Sequence, residues 1–532
     1  MIMLTKRFSA VCLASCCMLI SMAACSKQEK NAYDITSFQD VTARKEFNTA
    51  LDLNQSMKVP EAVPDDFFWC GEAEDATCAG QVAVMDVAFP GYSGQSYVGN
   101  FQTPEDQIIF EVEIPVSGVY DLSFQTCAGF AETAKQNPAI VNGVSVGTIV
   151  TEMGTSFSKS TVAGVYLEAG INEIAAGTEW GYYFVDQLTV TPGDPISADV
   201  YQVTATLSNP NASNHTKRLY QFLLDCYGKY TITGQYCDSG KFGTEMTMIH
   251  DQTGEYPAML GLDMIDYSPS RVAFGSTGKA VDYAIDFYCN QGGIVTMCWH
   301  WNAPKPYLIN TAEHPWYSGF YTEHCTLNLD AIADGTDAVG RELLLSDIDA
   351  VAEAMKPLQE ADVPILWRPL HEASGGWFWW GSCKSESYLW LWNQIYDAFT
   401  NKHGLNNLIW VWNGQDKAWY PGDDTVDIIG MDLYPPEHTY ASQSSTFSEL
   451  ATWSNENKLI ALTENGCMPD PDLLVRDHAM WSWFCTWSGD FIHKHYRASE
   501  QYTEFSMWKK VYQSEYTLAL SDLPCLWDYP LP

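Results

Sequence analysis

The chain has 532 residues, with 66 Asp and Glu against 28 Lys and Arg, a formal net charge of −38. That balance disfavours a nucleic-acid partner, which needs clustered basic side chains against phosphate, and disfavours attachment to anionic lipid through a basic patch. With 46% apolar residues the chain buries a sizeable core, and its length implies two or three domains rather than one.

Lys6 and Arg7 precede an apolar run, Phe8 to Ala24, that closes on Met22-Ala23-Ala24-Cys25. A basic start, a short apolar stretch and small residues at the cut make residues 1–25 a secretory signal. Cys25 directly after the small residues resembles a bacterial lipobox, which implies cleavage before Cys25, acylation of its thiol and a lipid-anchored protein in the cell envelope. No later run is long and apolar enough to cross a membrane. Residues 26–65 are polar and read as a spacer. Twelve cysteines follow Cys25; export permits disulfides, but their pairing is not legible, and no Cys-x-x-Cys motif points to zinc.

From 66 to 191 the chain alternates in short segments between Gly-containing turns: Gln107–Ile114, Gly118–Gln125, Gly143–Thr151, Thr161–Leu167 and Tyr182–Thr191. Strands of this length and spacing predict a β-sandwich. Pro192-Gly193-Asp194-Pro195 breaks the pattern, and residues 192–204 are read as a linker.

From 205 to 532 strand and helix patterns alternate. Eight strands are expected: Tyr230–Tyr236, Tyr256–Met264, Ile294–Trp301, Ile365–Glu372, Leu408–Asn413, Ile428–Tyr434, Leu459–Glu464 and Met480–Trp487. Most are near-continuous apolar runs, as strands covered on both faces should be. Between the third and fourth, Ser346 is placed to cap a helix whose Ile348, Val351, Met355 and Leu358 share one face. Eight such units in about 300 residues predict a (β/α)8 TIM barrel.

Polar residues gather at the C-terminal ends of these strands, the active face of such a barrel. Glu372 closes the fourth predicted strand and Glu464 the seventh. Cleavage of a glycosidic bond needs an acid for the leaving oxygen and a second carboxylate for the oxocarbenium-like carbon. Arg368 and His371 stand beside Glu372 in sequence, and Tyr434 is placed to donate its hydroxyl to Glu464. Eighteen of the 20 Trp lie after residue 298; sugar rings stack on aromatic faces, although about half of these indoles are expected in the core. A non-catalytic glycan-binding protein would have no use for both glutamates, and an adhesin would have no reason to collect polar residues at strand ends.

The motifs Trp299-His300-Trp301-Asn302, Trp367-Arg368-Pro369-Leu370-His371-Glu372 with Trp377 five residues on, Asp432-Leu433-Tyr434, Thr463-Glu464-Asn465-Gly466 and Thr486-Trp487 occur in that order. In them the region 205–532 resembles glycoside hydrolase family 26, chiefly β-mannanases. The resemblance implies a retaining endo-β-1,4-mannanase acting on mannan, glucomannan or galactomannan, with Glu372 as acid/base and Glu464 as nucleophile. It implies that His300, Arg368, His371 and Asp432 shape the −1 site, that Tyr434 bonds Glu464, that Trp377 stacks in +1 and that Trp487 floors −1. The same family holds mixed-linkage β-glucanases and β-1,3-xylanases, which are the alternative substrates; a surface glycan-binding lipoprotein is the non-catalytic alternative. No cofactor is needed for the chemistry, and a monomer is expected. The chain departs from the family pattern in the run Trp377-Phe378-Trp379-Trp380 and in a long segment, 302–343, after the third strand.

Residues 66–191 resemble a carbohydrate-binding module of family 35, through Gly71-Glu72-Ala73-Glu74, Gly91-Tyr92-Ser93-Gly94, Ile108–Ile114 and Asp186-Gln187-Leu188-Thr189-Val190. That likeness implies a structural calcium held by the oxygens of Glu72, Glu74 and Asp186, with Tyr92 and Trp180 facing the sugar.

Overall fold

A computed structural model describes residues 63–532 except 86–87, 132, 180 and 238–242. The signal segment, Cys25, most of the spacer and Trp180 therefore lie outside the described residues.

The N-terminal part is two antiparallel sheets face to face, one of six strands and one of five. The strand Gln107–Ile114 shows why they pair: Ile108, Phe110, Val112 and Ile114 are buried, and the residues between them are less so. Such strict alternation gives one apolar face, which needs a second sheet to cover it. Leu122, Phe124, Leu188 and Val190 supply that cover within one core. The expected strands are present as Gln107–Ile114, Gly118–Cys127, Val144–Thr151, Ser158–Leu167 and Phe184–Pro192. Sequence reading missed Lys135–Val141 and Gly170–Ala176.

The second part is a closed parallel barrel. Its strands, numbered here β1 to β8, are Thr231–Tyr236, Met259–Asp263, Ile294–Trp299, Ile365–Pro369, Leu408–Trp412, Ile428–Leu433, Leu459–Asn465 and Trp483–Thr486. Each pairs with the next, and β1 pairs with both β8 and β2, which closes the ring. Every residue of β1, β3, β4, β5, β7 and β8 is buried, in keeping with their unbroken apolar character. Most of the tryptophans are core as well. Eleven, among them Trp299, Trp367, Trp410 and Trp483, are fully enclosed, so tryptophan richness by itself says little about sugar binding.

Two local expectations are corrected. Ser346 does not cap a helix: it lies exposed within a helix spanning Ala338–Glu360. The cap is Asp337, whose carboxylate accepts the Gly340 N–H at 2.8 Å and so satisfies one of the orphan donors of the first turn. Ile348, Val351, Met355 and Leu358 are buried on one face, as expected. Glu372 does not end a strand either. β4 stops at Pro369, and both Leu370 (φ 53°) and Glu372 (φ 54°) are left-handed. Two such residues in a tight turn turn the chain off the barrel wall and need outside support.

The two parts touch. The strands Val144–Thr151 and Ser158–Leu167 lie against the barrel helix Ser444–Leu450. Ser444 Oγ donates to Gly164 O at 3.0 Å, and the Arg476 guanidinium sits 4.3 Å over the Tyr166 ring. A side chain at Gly147 would come within 2.5 Å of Val162 Cγ1, so the close approach of these two sandwich strands needs glycine there. Between the two parts, Ile196 is buried in the barrel's core, and Tyr201 packs on Tyr227 at 4.9 Å.

Candidate active site

The mouth of the barrel gathers three carboxylates, two of them on one buried cation. Arg368, on β4, is fully buried; its Nη1 donates to Asp432 Oδ2 at 2.7 Å, and its Nη2 reaches Glu464 Oε1 and Tyr236 Oη, the latter at 2.9 Å. Asp432 and Glu464 face each other across β6 and β7 because the register slips by one residue between Met431 and Asp432. That bulge in β7 brings Thr463 and Glu464 to the same side, so Thr463 Oγ1 donates to Asp432 Oδ1 at 2.6 Å. The Tyr434 hydroxyl donates to Glu464 Oε2. Asp432 is thus held by Arg368 and Thr463, and Glu464 by Arg368 and Tyr434.

Glu372 is held differently. Its N–H is received by Asn413 O at 2.7 Å and Asn413 Oδ1 at 3.0 Å, which fixes the left-handed turn. Asn413 Nδ2 in turn donates to Thr463 Oγ1 at 2.8 Å. The two glutamates are thereby linked through Asn413, Thr463, Asp432 and Arg368, all buried. Among the described residues, the Glu372 side chain accepts a hydrogen bond from Trp377 Nε1 at 2.9 Å. Carboxylate oxygens of Glu372, Asp432 and Glu464 lie within 4.8 Å of one another.

The protonation states follow from these partners. Burial, then the charges of Asp432 and Glu464, push Glu372 well above the ordinary carboxylate range. Burial and Asp432 also raise Glu464, to about 7, but the Arg368 cation and the Tyr434 hydroxyl pull it back. Glu464 therefore ionises first, and Glu372 keeps its proton. Environments that push two carboxyl pKa values apart are how one site holds an acid and a base together.

A histidine pair forms the other wall. The Nδ1–H of His300 donates to Asp263 Oδ2 at 2.7 Å, and its backbone N–H donates to Asp263 Oδ1 at 3.1 Å. His371 Nε2 lies 3.2 Å from His300 Nε2. Burial, then His300, holds His371 neutral, well below the usual range. With Nδ1 turned to Asp263, His300 presents its Nε2 to His371. The rings of Trp487 and Tyr236 lie 4.7 Å apart beside this wall.

All seven barrel site residues expected beside the two glutamates, His300, Arg368, His371, Trp377, Asp432, Tyr434 and Trp487, come to this one mouth. Arg368 engages Glu464 and not Glu372, contrary to their closeness in sequence, because strand alternation points Arg368 into the barrel while Glu372 stands three residues beyond the strand. Sequence reading puts Asn413 on the active face without naming its partner, and gives no role to Tyr236, Asp263 or Thr463. Tyr236 and Asp263 fall at or next to the ends of expected strands, and that position was the available signal.

In the sandwich, Glu72, Glu74 and Asp186 offer oxygens within 4.8 Å of one another. Ser93 Oγ donates to Glu72 at 2.7 Å, and Ser93 N–H donates to Asp186 at 2.9 Å. Glu74 Oε2 and Asp186 Oδ1 are buried with no donor, and burial raises Asp186 to about 6. Three converging carboxylates with two orphaned oxygens suit a hard cation. Tyr92 is half-buried, its ring 5.6 Å from Tyr97. Among the described residues no disulfide joins the cysteines, and no helix is long and apolar enough to cross a membrane.

A closed parallel barrel with one carboxyl in the turn just beyond β4 and a second at the end of β7 has the site of a glycoside hydrolase. Residues 208–522 match the model of glycosyl hydrolase family 26, and residues 70–193 that of carbohydrate-binding module family 35. The chain is 39% identical over 464 residues to a mannan endo-1,4-β-mannosidase of Thermothelomyces thermophilus, covering 87% of this chain and 92% of the relative. Among solved structures it resembles a β-(1,4)-mannanase of Podospora anserina that joins the same two families, at 38% identity and TM-score 0.59 over 86% of this chain and 98% of that one. It also resembles a ruminal endo-β-1,4-mannanase of family 26, at 28% identity and TM-score 0.60 over 87% and 99%. The chain belongs to glycosyl hydrolase family 26 and carries an N-terminal module of the family 35 type.

Proposed function

We propose that this chain is a retaining endo-β-1,4-mannanase, cleaving β-mannan, glucomannan or galactomannan by double displacement. The observation that carries this reading is the asymmetry of the glutamate pair: the carboxylates are within 4.8 Å, and among the described residues only Glu464 has a cation and a phenol directly on it. Retaining sites keep the two carboxyls about 5–5.5 Å apart, whereas inverting ones leave room for a water. Protonated Glu372 gives its proton to the glycosidic oxygen as that bond breaks, while Glu464 attacks the anomeric carbon. The ester so formed cancels the Glu464 charge, so Glu372 becomes more acidic and then takes a proton from the water that frees the product. Arg368 and Tyr434 hold Glu464 in line. His300, His371, Asp432 and Trp487 shape −1, and Trp377 stacks against the +1 sugar. The mannan reading is supported by relatives named for mannan cleavage across most of this chain's length.

Residues 66–191 act as the sugar-binding module, with Tyr92 and Trp180 toward the glycan and a calcium held by Glu72, Glu74 and Asp186. When bound, calcium supplies only charge neutralisation that stiffens this edge of the sandwich. Residues 205–532 carry the chemistry, and 192–204 connect the two. The segment 1–25 directs export, Cys25 carries the lipid, and 26–65 is the spacer from a bacterial cell envelope. Proton NMR in the first minutes of mannan cleavage tests the reaction: the β anomer is expected first, and the α anomer first rules out direct attack by Glu464. Product analysis on mannan, mixed-linkage glucan and β-1,3-xylan tests the substrate.

A further inference from the structure

The segment between β3 and the helix Ala338–Glu360 has no part in the mechanism above, yet it is tied to the loop that carries Trp377. Thr322 N–H donates to Trp377 O at 2.8 Å, Thr322 Oγ1 to Gly376 O at 2.8 Å, and Trp379 N–H to Phe320 O at 3.2 Å. Tyr321 and Phe378 form an antiparallel bridge, and their rings stack at 5.7 Å with 23° between planes. On the other side, the Phe320 ring lies 5.1 Å from His300. Tyr321 is thus fixed at the mouth between the histidine wall and Trp377. Its other face stays open: Tyr321 is 41% exposed and Trp377 36%. Burial, then the charge of Glu372, raises the Tyr321 phenol, which places its hydroxyl within the field of that carboxyl. Single exposed aromatics are ordinary. Two of them, on segments stitched together by backbone hydrogen bonds beside a carboxyl, are a built surface.

We propose that Tyr321 is a specificity-determining residue of the leaving-group site, forming with Trp377 the wall against which the departing sugar sits and donating its hydroxyl to that sugar. The inference rests on Glu372 being the acid, since the leaving group is the partner of that residue. A wall on this side discriminates between substrates by the sugar beyond the scissile bond and is indifferent to a substrate that has none.

The test compares wild type, Tyr321→Phe and Tyr321→Ala on two substrates. One is mannotetraose, whose cleavage places a sugar in +1. The other is a dinitrophenyl β-mannobioside, whose leaving group needs neither that sugar nor a proton. Tyr321→Ala is expected to lose about tenfold or more in kcat/KM on mannotetraose, and Tyr321→Phe several-fold, on the scale of one lost hydrogen bond. Both are expected to stay within about twofold of wild type on the aryl substrate. Equal losses on the two substrates, or no loss on mannotetraose, overturns the proposal. A wild-type enzyme that ignores mannotetraose and cuts a glucan oligosaccharide overturns the mannan reading instead, and the variants are then compared on the substrate it does cut.

Discussion

Arg368 places its guanidinium on Glu464 and not on Glu372, which has no direct cation among the described residues, although Glu372 is only four residues away in sequence. This one choice of partner divides the labour of two otherwise similar carboxyls. The cation is fully enclosed and shared with Asp432, so it cannot be exchanged for solvent.

Replacing Glu464 by Ala is expected to abolish turnover on every substrate. Glu372→Ala is expected to lose about 100- to 10,000-fold on mannan, the usual worth of a general acid. On a dinitrophenyl glycoside the same variant should keep a fast first step and accumulate the glycosyl-enzyme. Burst kinetics on that substrate checks this, and near wild-type turnover by Glu464→Ala contradicts it.

Arg368→Met leaves Asp432 and Glu464 buried side by side without their cation. Breaking such a pair costs about 3–5 kcal/mol, so a clear fall in melting temperature is expected. Glu464 must be ionised to attack, and its pKa is already raised to about 7. Loss of the cation raises it further, so the acidic limb of the kcat/KM profile moves to higher pH. An unmoved acidic limb in a folded Arg368→Met protein would remove Arg368 from this role.

Asp263 fixes the His300 tautomer through a 2.7 Å bond. Asp263→Asn is expected to lower kcat/KM by roughly tenfold, the order for a disturbed supporting hydrogen bond to a site histidine. Melting temperature should change little. A His300→Gln background, in which the tautomer no longer matters, should show no further loss from Asp263→Asn.

The acidic cluster of the sandwich gives a pH test. The folded-state pKa of Asp186 is raised to about 6 from 3.8. Between those values the folded chain binds more protons than the unfolded one, so stability falls as pH rises through the window. Calcium competes with those protons and binds only the folded cluster. Melting curves with chelator should therefore drop between pH 4 and 6, and added calcium should flatten the drop and raise the melting temperature above pH 6. Curves that ignore calcium at every pH would remove the ion from this module.

The barrel was legible because its strands are apolar on both faces, and eight such runs between helical patterns leave few alternatives. Glu464, Asp432 and Tyr434 were legible for a related reason: strand ends fall on the active face. What was not legible came from contacts distant in sequence. No pattern near Asn413 says that it supports the left-handed turn at Glu372, and none near Tyr321 says that it meets Phe378. The cap at Asp337 was missed because Ser346 sits just before the four apolar positions and looks like their start. The contacts of the sandwich with the barrel run through Ser444 and Arg476, neither of which marks an interface in sequence.

The division of roles between Glu464 and Glu372 is tested most directly by trapping. Inactivation with 2-deoxy-2-fluoro-β-mannosyl fluoride, followed by proteolysis and mass mapping, locates the attacking carboxylate. The label is expected on Glu464 and nowhere else, with mannotetraose protecting against it. A label on Glu372 or Asp432, or continued hydrolysis of the reagent with no label on any carboxylate, contradicts the assignment.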